Sequence, residues 1–217
     1  LAIVGANWFG HPAKEMTMVA VTGTCGKTTT TYLLKAILEQ AAGAKVGLIG
    51  TNQNMIGNAA LPTDRTTPES FEVQKLFREM ADAGCTHVVM ESYCDAKAIL
   101  FRNCSVGVVN ADDPWTPRLL KDAACRVMTY AERAEADLRA EHIALSADGI
   151  AFDAVTETER VPVRVHIPGG FMVYNTLDVL GAALALGIPL KDSAAVLAGV
   201  PHVQGRVEVI PTPGKDY

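Results

Sequence analysis

Residues 18–31, with the sequence MVAVTGTCGKTTTT, contain the pattern that decides the fold of this chain. A β-branched run breaks at Gly23 into a glycine loop that carries Gly26, Lys27 and Thr28, and this order is typical of a strand, a turn and the start of a helix. Backbone amides in such a turn and the positive end of the helix dipole bind phosphate. The lysine reaches the β- and γ-phosphates and the threonine hydroxyl binds Mg²⁺. The stretch therefore predicts nucleotide binding.

The match to the phosphate-loop pattern is incomplete at one position. G-x-x-x-x-G-K-[ST] requires glycine where this chain has Val21. The alternative is an ordinary strand-to-helix turn. However, the four threonines at 28–31 are poor helix formers, so their presence needs another reason. We favour nucleotide binding.

The size and composition of the chain limit the classes of protein to which it can belong. The chain has 217 residues, 49% hydrophobic residues and mean hydropathy +0.17, as in a globular enzyme of one or two domains. No apolar run approaches the ~20 residues of a membrane span, and a net charge of −5 argues against a nucleic-acid partner. The five cysteines lack C-x-x-C spacing, which disfavours a zinc site and indicates free thiols in a reducing cytoplasm.

Apolar runs alternate with helical stretches along the first 130 residues. Strand–helix alternation of this kind predicts an α/β fold with a mostly parallel, doubly wound sheet, helices on both faces and ligand at the carboxyl ends of the strands. After the first strand, we predict strands at 45–50, 86–91, 105–109 and 125–130 and helices at 27–42, 68–83, 93–101 and 114–123.

The sequence pattern changes at 137–167, where apolar and polar residues alternate. This alternation predicts a small antiparallel β patch packed on the main sheet, with turns at Asp148-Gly149 and at 157–159. Helices resume at 173–186 and 191–199.

Several segments together resemble the central ATP-binding domain of the Mur ligases, most closely the MurE type, the UDP-N-acetylmuramoyl-tripeptide synthetases. The likeness runs over nearly the whole chain in one order, which makes chance agreement very improbable. The matching segments are TGTCGKTTT (22–30), GLIGTNQNMIGN (47–58), TTPES (66–70), HVVME (87–91), DAKAIL (95–100), VVNADD (108–113), GGFMVYN (169–175) and GRVEVI (205–210).

The resemblance implies ATP- and Mg²⁺-dependent amide-bond formation. A carboxylate of a UDP-muramoyl peptide attacks ATP to give an acyl phosphate, and an amino acid then displaces phosphate. Lys27 matches a catalytic residue, and Thr28 and Glu91 match metal ligands. The positions that match nucleotide-binding residues of the family are Gly23, Thr24, Gly26, Lys27, Thr28, Thr29, Asn110, Asp112, Asn175 and Arg206.

Three further matches concern the substrates. Thr66 and Thr67 match a turn that contacts the UDP-muramoyl substrate, although Thr-Thr-Pro alone is a helix cap. Lys97 matches a catalytic lysine that CO₂ converts to a carbamate, and a surface helix lysine is its alternative. Glu91 could likewise be a solvated acid at a strand end, and Asn175 could be a capping residue.

The chain departs from the family in three places. Cys25 stands where a polar residue is usual, and Met172 replaces an asparagine common near the adenine pocket. After Glu91 the family carries a long segment with a further strand and substrate-binding residues, which is missing here. We therefore expect weaker binding of Mg-ATP than in an intact ligase and no amide-bond formation by this chain alone.

The expected organisation is a remnant of a preceding domain or linker at 1–15, a central ATP-binding domain at 16–210 and a linker at 211–217 to a carboxy-terminal domain. The expected protein is a cytoplasmic monomer. The alternative function is a non-catalytic, trimmed or engineered nucleotide-binding scaffold. A small kinase is a weaker third reading, because the sequence shows no arginine-rich lid.

Overall fold

The strand that leads into the glycine loop lies in the first of two sheets. The computed structural model describes residues 2–61, 69–92, 97–200 and 203. The strands of the first sheet are β1 (Thr17–Thr22), β2 (Val46–Ile49), β3 (Asn54–Ile56), β4 (Ala59–Leu61) and β5 (His87–Ser92). Their order is β1-β5-β2-β3-β4, in which β1, β5 and β2 run parallel and β3 and β4 are antiparallel.

The second sheet has the same mixed character. Its strands are β6 (Val106–Asn110), β7 (Arg126–Ala131), β8 (Leu138–Ser146), β9 (Gly149–Val155) and β10 (Arg160–Val165). The order is β10-β9-β8-β7-β6; β6, β7 and β8 run parallel, whereas β9 and β10 are antiparallel. The predicted strands are therefore present, but they form two mixed sheets rather than one continuous sheet.

The predicted antiparallel patch is also arranged differently from the expectation. It extends the second sheet through the parallel pairing of β7 with β8, because the edge of β7 offers unpaired backbone groups. It is therefore not a separate layer packed on a main sheet. The β8–β9 turn is Ala147-Asp148, one residue earlier than predicted, and Gly149 opens β9 with a φ of 142°. The second predicted turn, at 157–159, joins β9 to β10.

Helices cover both faces of the sheets, which confirms the α/β fold class. They are α1 (Ala2–Trp8), α2 (Lys27–Gln40), α3 (Ser70–Asp82), α4 (Lys97–Asn103), α5 (Thr116–Leu119), α6 (Phe171–Ala185) and α7 (Leu190–Gly199), with a 3₁₀ turn at Pro12–Lys14. On β5, the neighbouring residues Val88 and Val89 are both fully buried and contribute to opposite hydrophobic clusters. In the described part of the chain, none of these helices is long and apolar enough to cross a membrane.

The larger cluster joins the two sheets through a layer of helices. It includes Leu33 and Leu34 of α2, Leu177 and Leu180 of α6, and strand residues of both sheets. Each fully buried leucine contributes about 1.5–3 kcal/mol. This layer fixes the amino end of α2, and with it the glycine loop, against α6.

Candidate functional site

The glycine loop joins the carboxyl end of β1 to the amino end of α2, as predicted. Gly26 is the residue before the helix and has a φ of 84°, in the left-handed region that favours glycine. A Cβ at this position would overlap the amide oxygen of Asn175 and lie 2.9 Å from its Cγ. The loop therefore needs glycine here for two reasons, and Asn175 of α6 lies directly against it.

Lys27 folds back across the loop. Its Nζ donates a hydrogen bond of 2.7 Å to the carbonyl oxygen of Gly23, so the ammonium group lies beside the loop backbone at the amino end of α2. The exposed Cys25 is at the outer side of the loop. This arrangement brings a cation, backbone amides and a helix dipole to one place, as anion binding requires.

The four threonines after Lys27 are buried. Thr28, Thr29, Thr30 and Thr31 are exposed by 6% or less, and the Thr31 hydroxyl donates to the carbonyl oxygen of Thr28 at 2.9 Å. Burial among the helices explains their presence despite poor helix propensity. Thr28 and Thr29 therefore lie at the base of the loop.

Glu91 is placed beside the loop by strand pairing. β1 and β5 align Val21 with Glu91, so Glu91 lies at the carboxyl end of the sheet, on the strand beside the one that leads into the glycine loop. Glu91 is only 6% exposed. Its two oxygens accept hydrogen bonds from the Thr51 amide (3.1 Å) and the Thr51 hydroxyl (2.7 Å). It is thus a buried, oriented carboxylate rather than a solvated acid at a strand end.

Asn110 and Asp112 shape a neighbouring loop. The Asn110 side-chain oxygen accepts the Asp112 amide at 2.9 Å. The Asp112 carboxylate accepts the amides of Glu132 (2.7 Å), Arg133 (3.1 Å) and Ala134 (2.8 Å). Asp112 therefore joins the loop after β6 to the loop after β7.

The Asp112 carboxylate also accepts the Tyr174 hydroxyl of α6, at 3.1 Å. Partial burial of Asp112 opposes its ionisation, but the three amides and the Tyr174 hydroxyl outweigh this effect and hold its pKa below the usual value. Burial, with the hydrogen bond to Asp112, raises the pKa of Tyr174 to about 12. The sequence resemblance gave Asp112 only a nucleotide role, whereas its contacts hold two loops and α6 together.

Asn175 is oriented by the residue one helical turn before it. Its Nδ2 contacts the sulfur of Met172 at 3.6 Å, and Met172 is fully buried in the larger core cluster. The methionine noted as a departure from the family is therefore a core residue that supports Asn175.

Four other predicted site residues have side chains outside the part of the chain that the structure describes. Thr66, Thr67 and Arg206 lie outside the described residues. Lys97 is the first residue of α4, and its side chain also lies outside the described part. The structure thus brings together the glycine loop, Lys27, Glu91 and Asn175.

Sequence reasoning missed Thr51. It follows Gly50 directly after the buried strand β2, and a small polar residue at the carboxyl end of such a strand was the available signal. Gly50 is required as well, since a Cβ there would lie 2.8 Å from Glu91 Oε1.

Comparison with known proteins gives the family. A profile described as the Mur ligase middle domain matches residues 21–93 and 90–183. The chain belongs to the Mur ligase family. It is 37% identical, over 246 residues, to the UDP-N-acetylmuramoyl-L-alanyl-D-glutamate–2,6-diaminopimelate ligase of Clostridium botulinum, and that alignment covers 97% of this chain and 51% of the relative. It is 36% identical to a UDP-N-acetylmuramyl-tripeptide synthetase of Roseiflexus, with 97% and 52% covered.

The chain therefore spans about half the length of these curated relatives. Solved structures support the same fold. A UDP-N-acetylmuramoyl-L-alanyl-D-glutamate–2,6-diaminopimelate ligase superposes with a TM-score of 0.85 at 23% identity, over 96% of this chain and 52% of the other. The folylpolyglutamate synthetase of Lactobacillus casei gives 0.77 at 17% identity, over 97% and 69%. At these identities the likeness concerns the fold alone.

Proposed function

We propose that this Mur ligase middle domain is the ATP-binding part of a peptidoglycan-precursor ligase. In the proposed reaction, a carboxylate of a UDP-muramoyl peptide takes the γ-phosphate of ATP, which gives an acyl phosphate and ADP. The amine of an amino acid then displaces phosphate and forms the amide bond. The main support is the grouping of Lys27, the Gly26 loop and Glu91 at the ends of two paired strands. The names of the relatives supply the substrate class.

The loop would hold the nucleotide phosphates. Backbone amides of 23–26 and the amino end of α2 present positive charge, and the Lys27 ammonium adds a full charge beside them. Two anions, the substrate carboxylate and ATP, must meet for the first step, so charge neutralisation is the largest contribution that this chain makes. Lys27 would turn from the Gly23 carbonyl to the phosphate when the nucleotide binds.

Glu91 and Thr28 are the proposed residues for Mg²⁺. Protein sites for this ion commonly supply one or two carboxylates and leave the remaining positions to phosphate and water. A single buried carboxylate, oriented by Thr51, fits that requirement. In the described part of the chain, no group of three or more metal-ligating side chains offers an alternative site. When bound, Mg²⁺ would neutralise phosphate charge.

The remaining assignments are also proposals. Thr24 and Thr29 would flank the phosphates. The nucleoside would be contacted by Asn110, Asp112, Asn175 and Arg206. Thr66 and Thr67 would bind the muramoyl substrate, and Lys97 would act as the modified catalytic lysine. We place the reaction in the cytoplasm, carried out by a monomer without a nucleic-acid or membrane partner.

Nucleotide binding without ligation is the second candidate function. The alignment with the C. botulinum relative covers 246 residues, whereas 97% of this chain is only about 210 residues. About 36 positions of that relative therefore lie opposite a gap here. Substrate-binding groups at those positions would be absent, and the chain would bind and slowly hydrolyse ATP without forming an amide bond.

Two measurements test these proposals. Calorimetric titration with Mg-ATP should show saturable binding that Lys27→Ala abolishes and that Lys191→Ala, a change on an exposed face of α7, leaves intact. Equal binding by Lys27→Ala would contradict the phosphate-loop assignment. Phosphate release is then followed with and without a UDP-muramoyl dipeptide and an amino acid. Tripeptide product would eliminate the second candidate, and phosphate release independent of both substrates would support it.

A further inference from the structure

Two cysteines, Cys104 and Cys125, lie near each other at the amino ends of β6 and β7. Cys104 directly follows α4, and its amide donates to the carbonyl oxygen of Leu100 at 2.9 Å, as at the end of a helix. Cys125 directly precedes β7. Both residues are half-buried and carry free thiols. The proposed function uses neither of them, since its residue on β6 is Asn110, at the carboxyl end of that strand.

Backbone hydrogen bonds on both sides of Cys125 hold it against the end of α4. The amides of the residues before and after it both donate at 3.1 Å, the first to the carbonyl oxygen of Phe101 and the second to that of Ser105. These two acceptors are on either side of Cys104 in the chain. The segments that carry the two cysteines are therefore tied to each other in two places.

The register of the parallel strands gives the separation of the two cysteines. It begins with Val106 opposite Arg126, which places Ser105 opposite Cys125 and Cys104 on the diagonal. With about 4.8 Å between strands and about 3.3 Å per residue, this geometry gives a Cα separation of about 6 Å. Disulfides commonly span Cα separations of about 4.4–6.8 Å, so a bond between these two cysteines needs little backbone movement.

The sulfur of Cys125 is directed to the side of β6 on which α4 packs. A Cβ on Gly107 would lie 2.5 Å from Cδ1 of the Phe101 ring and 3.1 Å from Cys125 Sγ. Phe101 belongs to α4, and Cys104 follows it three residues later. The sulfur therefore lies on the same side of the strand as the end of the helix that leads into Cys104.

The two thiols are close enough to interact. Burial raises the pKa of Cys104, and a hydrogen bond with the Cys125 thiol raises this pKa further, to about 11. Among the residues that the structure describes, no third metal-ligating side chain joins the pair. A covalent bond between the two thiols is therefore favoured over a metal site.

We propose that Cys104 and Cys125 are a redox modification site, at which a low-molecular-weight disulfide oxidises the two thiols to a reversible disulfide. The bond would fasten the end of α4 to the start of β7. Because α4 begins at Lys97, the bond would also restrain the helix that carries this residue.

The oxidation proceeds by two exchange steps. One protein thiolate attacks a sulfur of the small disulfide, which releases one small thiolate and leaves a mixed disulfide on the protein. The second cysteine attacks the protein sulfur of that mixed disulfide, so the bond between Cys104 and Cys125 forms and the second small thiolate leaves. The protein loses two electrons and two protons, and the two small thiols gain them. Since the thiolate is the nucleophile, the raised pKa of Cys104 makes the exchange slow at neutral pH.

The probe is oxidised glutathione, added to the reduced chain at about pH 8.5, where more thiolate is present. Remaining thiols are blocked with N-ethylmaleimide, and the digested chain is analysed by mass spectrometry. The expected product is a pair of peptides joined through Cys104 and Cys125, which dithiothreitol separates. Cys104→Ser and Cys125→Ser should each abolish this product and leave glutathione on the remaining cysteine of the pair. Cys85→Ala, a change at a buried cysteine elsewhere, should retain it.

Hydrogen–deuterium exchange tests whether the bond fastens the helix. Oxidation should slow exchange in α4 and at the start of β7 at least about tenfold, and exchange in β10 should not change. Dithiothreitol should restore the original rates, and Cys104→Ser should show no slowing. Glutathione on both cysteines without a cross-link would overturn the proposal. So would a bond from either cysteine to Cys94, or unchanged exchange in the cross-linked chain.

Discussion

Replacing Gly26 by alanine should destabilise the chain more than replacing Gly187 by alanine, although the two glycines have nearly the same φ, 84° and 83°. An L-residue in this left-handed region costs about 1–2 kcal/mol. At Gly187 no atom lies within 4 Å of an added Cβ, so this conformational cost is the whole expected effect.

At Gly26 a steric cost is added. The new Cβ would overlap the side chain of Asn175, which belongs to α6 and contacts the fully buried Met172, so neither partner moves easily. Overpacking of this kind costs about 1–3 kcal/mol. The expected free-energy loss is therefore about 2–5 kcal/mol for Gly26→Ala and about 1–2 kcal/mol for Gly187→Ala.

Urea unfolding followed by circular dichroism measures both losses. Asn175→Ala alone and combined with Gly26→Ala completes a double-mutant cycle, which isolates the contact between the two residues. The combined variant should recover about 1–3 kcal/mol relative to additivity. Equal losses for the two glycine variants, or strict additivity in the cycle, would refute the close approach of α6 to the loop.

Three other substitutions test single contacts. Asp112→Asn should cost about 2 kcal/mol at pH 7, because charged hydrogen bonds to three amides are weakened. The folded-state pKa of Asp112 is below the unfolded value of about 3.9, so this stabilisation is complete above pH ~4 and is lost as pH falls through the folded pKa. Urea midpoints of parent and variant should therefore converge at low pH, and a constant difference would contradict the account. Gly149→Ala should cost more than about 2 kcal/mol by thermal unfolding, since φ is 142° and a Cβ would overlap the backbone oxygen of Val165; a stable variant would show that β9 starts differently. Thr51→Val should weaken Mg-ATP binding at least about threefold in calorimetry while Thr51→Ser retains it, because only the valine removes the hydroxyl bond to Glu91; equal affinities would mean that this bond does not orient Glu91 for the metal.

The local elements of the fold could be predicted from the sequence. The strand predicted at 45–50 is observed at Val46–Ile49, and the strand predicted at 125–130 is observed at Arg126–Ala131. Both could be predicted because buried parallel strands have short, continuous apolar sequences. Helix 114–123 was predicted too long, since only Thr116–Leu119 is helical. The β3–β4 hairpin was not predicted, because strands of three residues are too short to show an alternation of apolar and polar residues.

Long-range pairing could not be predicted. Nothing in the sequence of an individual strand states which edge it joins, so the division into two sheets was not foreseen. The bonds between Thr51 and Glu91 join residues forty positions apart, and the contact of Gly26 with Asn175 spans most of the chain. The loop itself was predictable, because a glycine loop between strand and helix is a local signal.

A nuclear magnetic resonance titration of the isotope-labelled chain with Mg-ATP tests whether the loop at 23–28 binds nucleotide phosphate. The largest saturable shifts should occur at the backbone amides of 23–28 and at the side-chain amide of Asn175, and Lys27→Ala should remove them. Unchanged loop amides at saturating Mg-ATP would contradict phosphate binding at this loop. Shifts centred instead on the separate cavity lined by Lys35 and Gln53 would do the same.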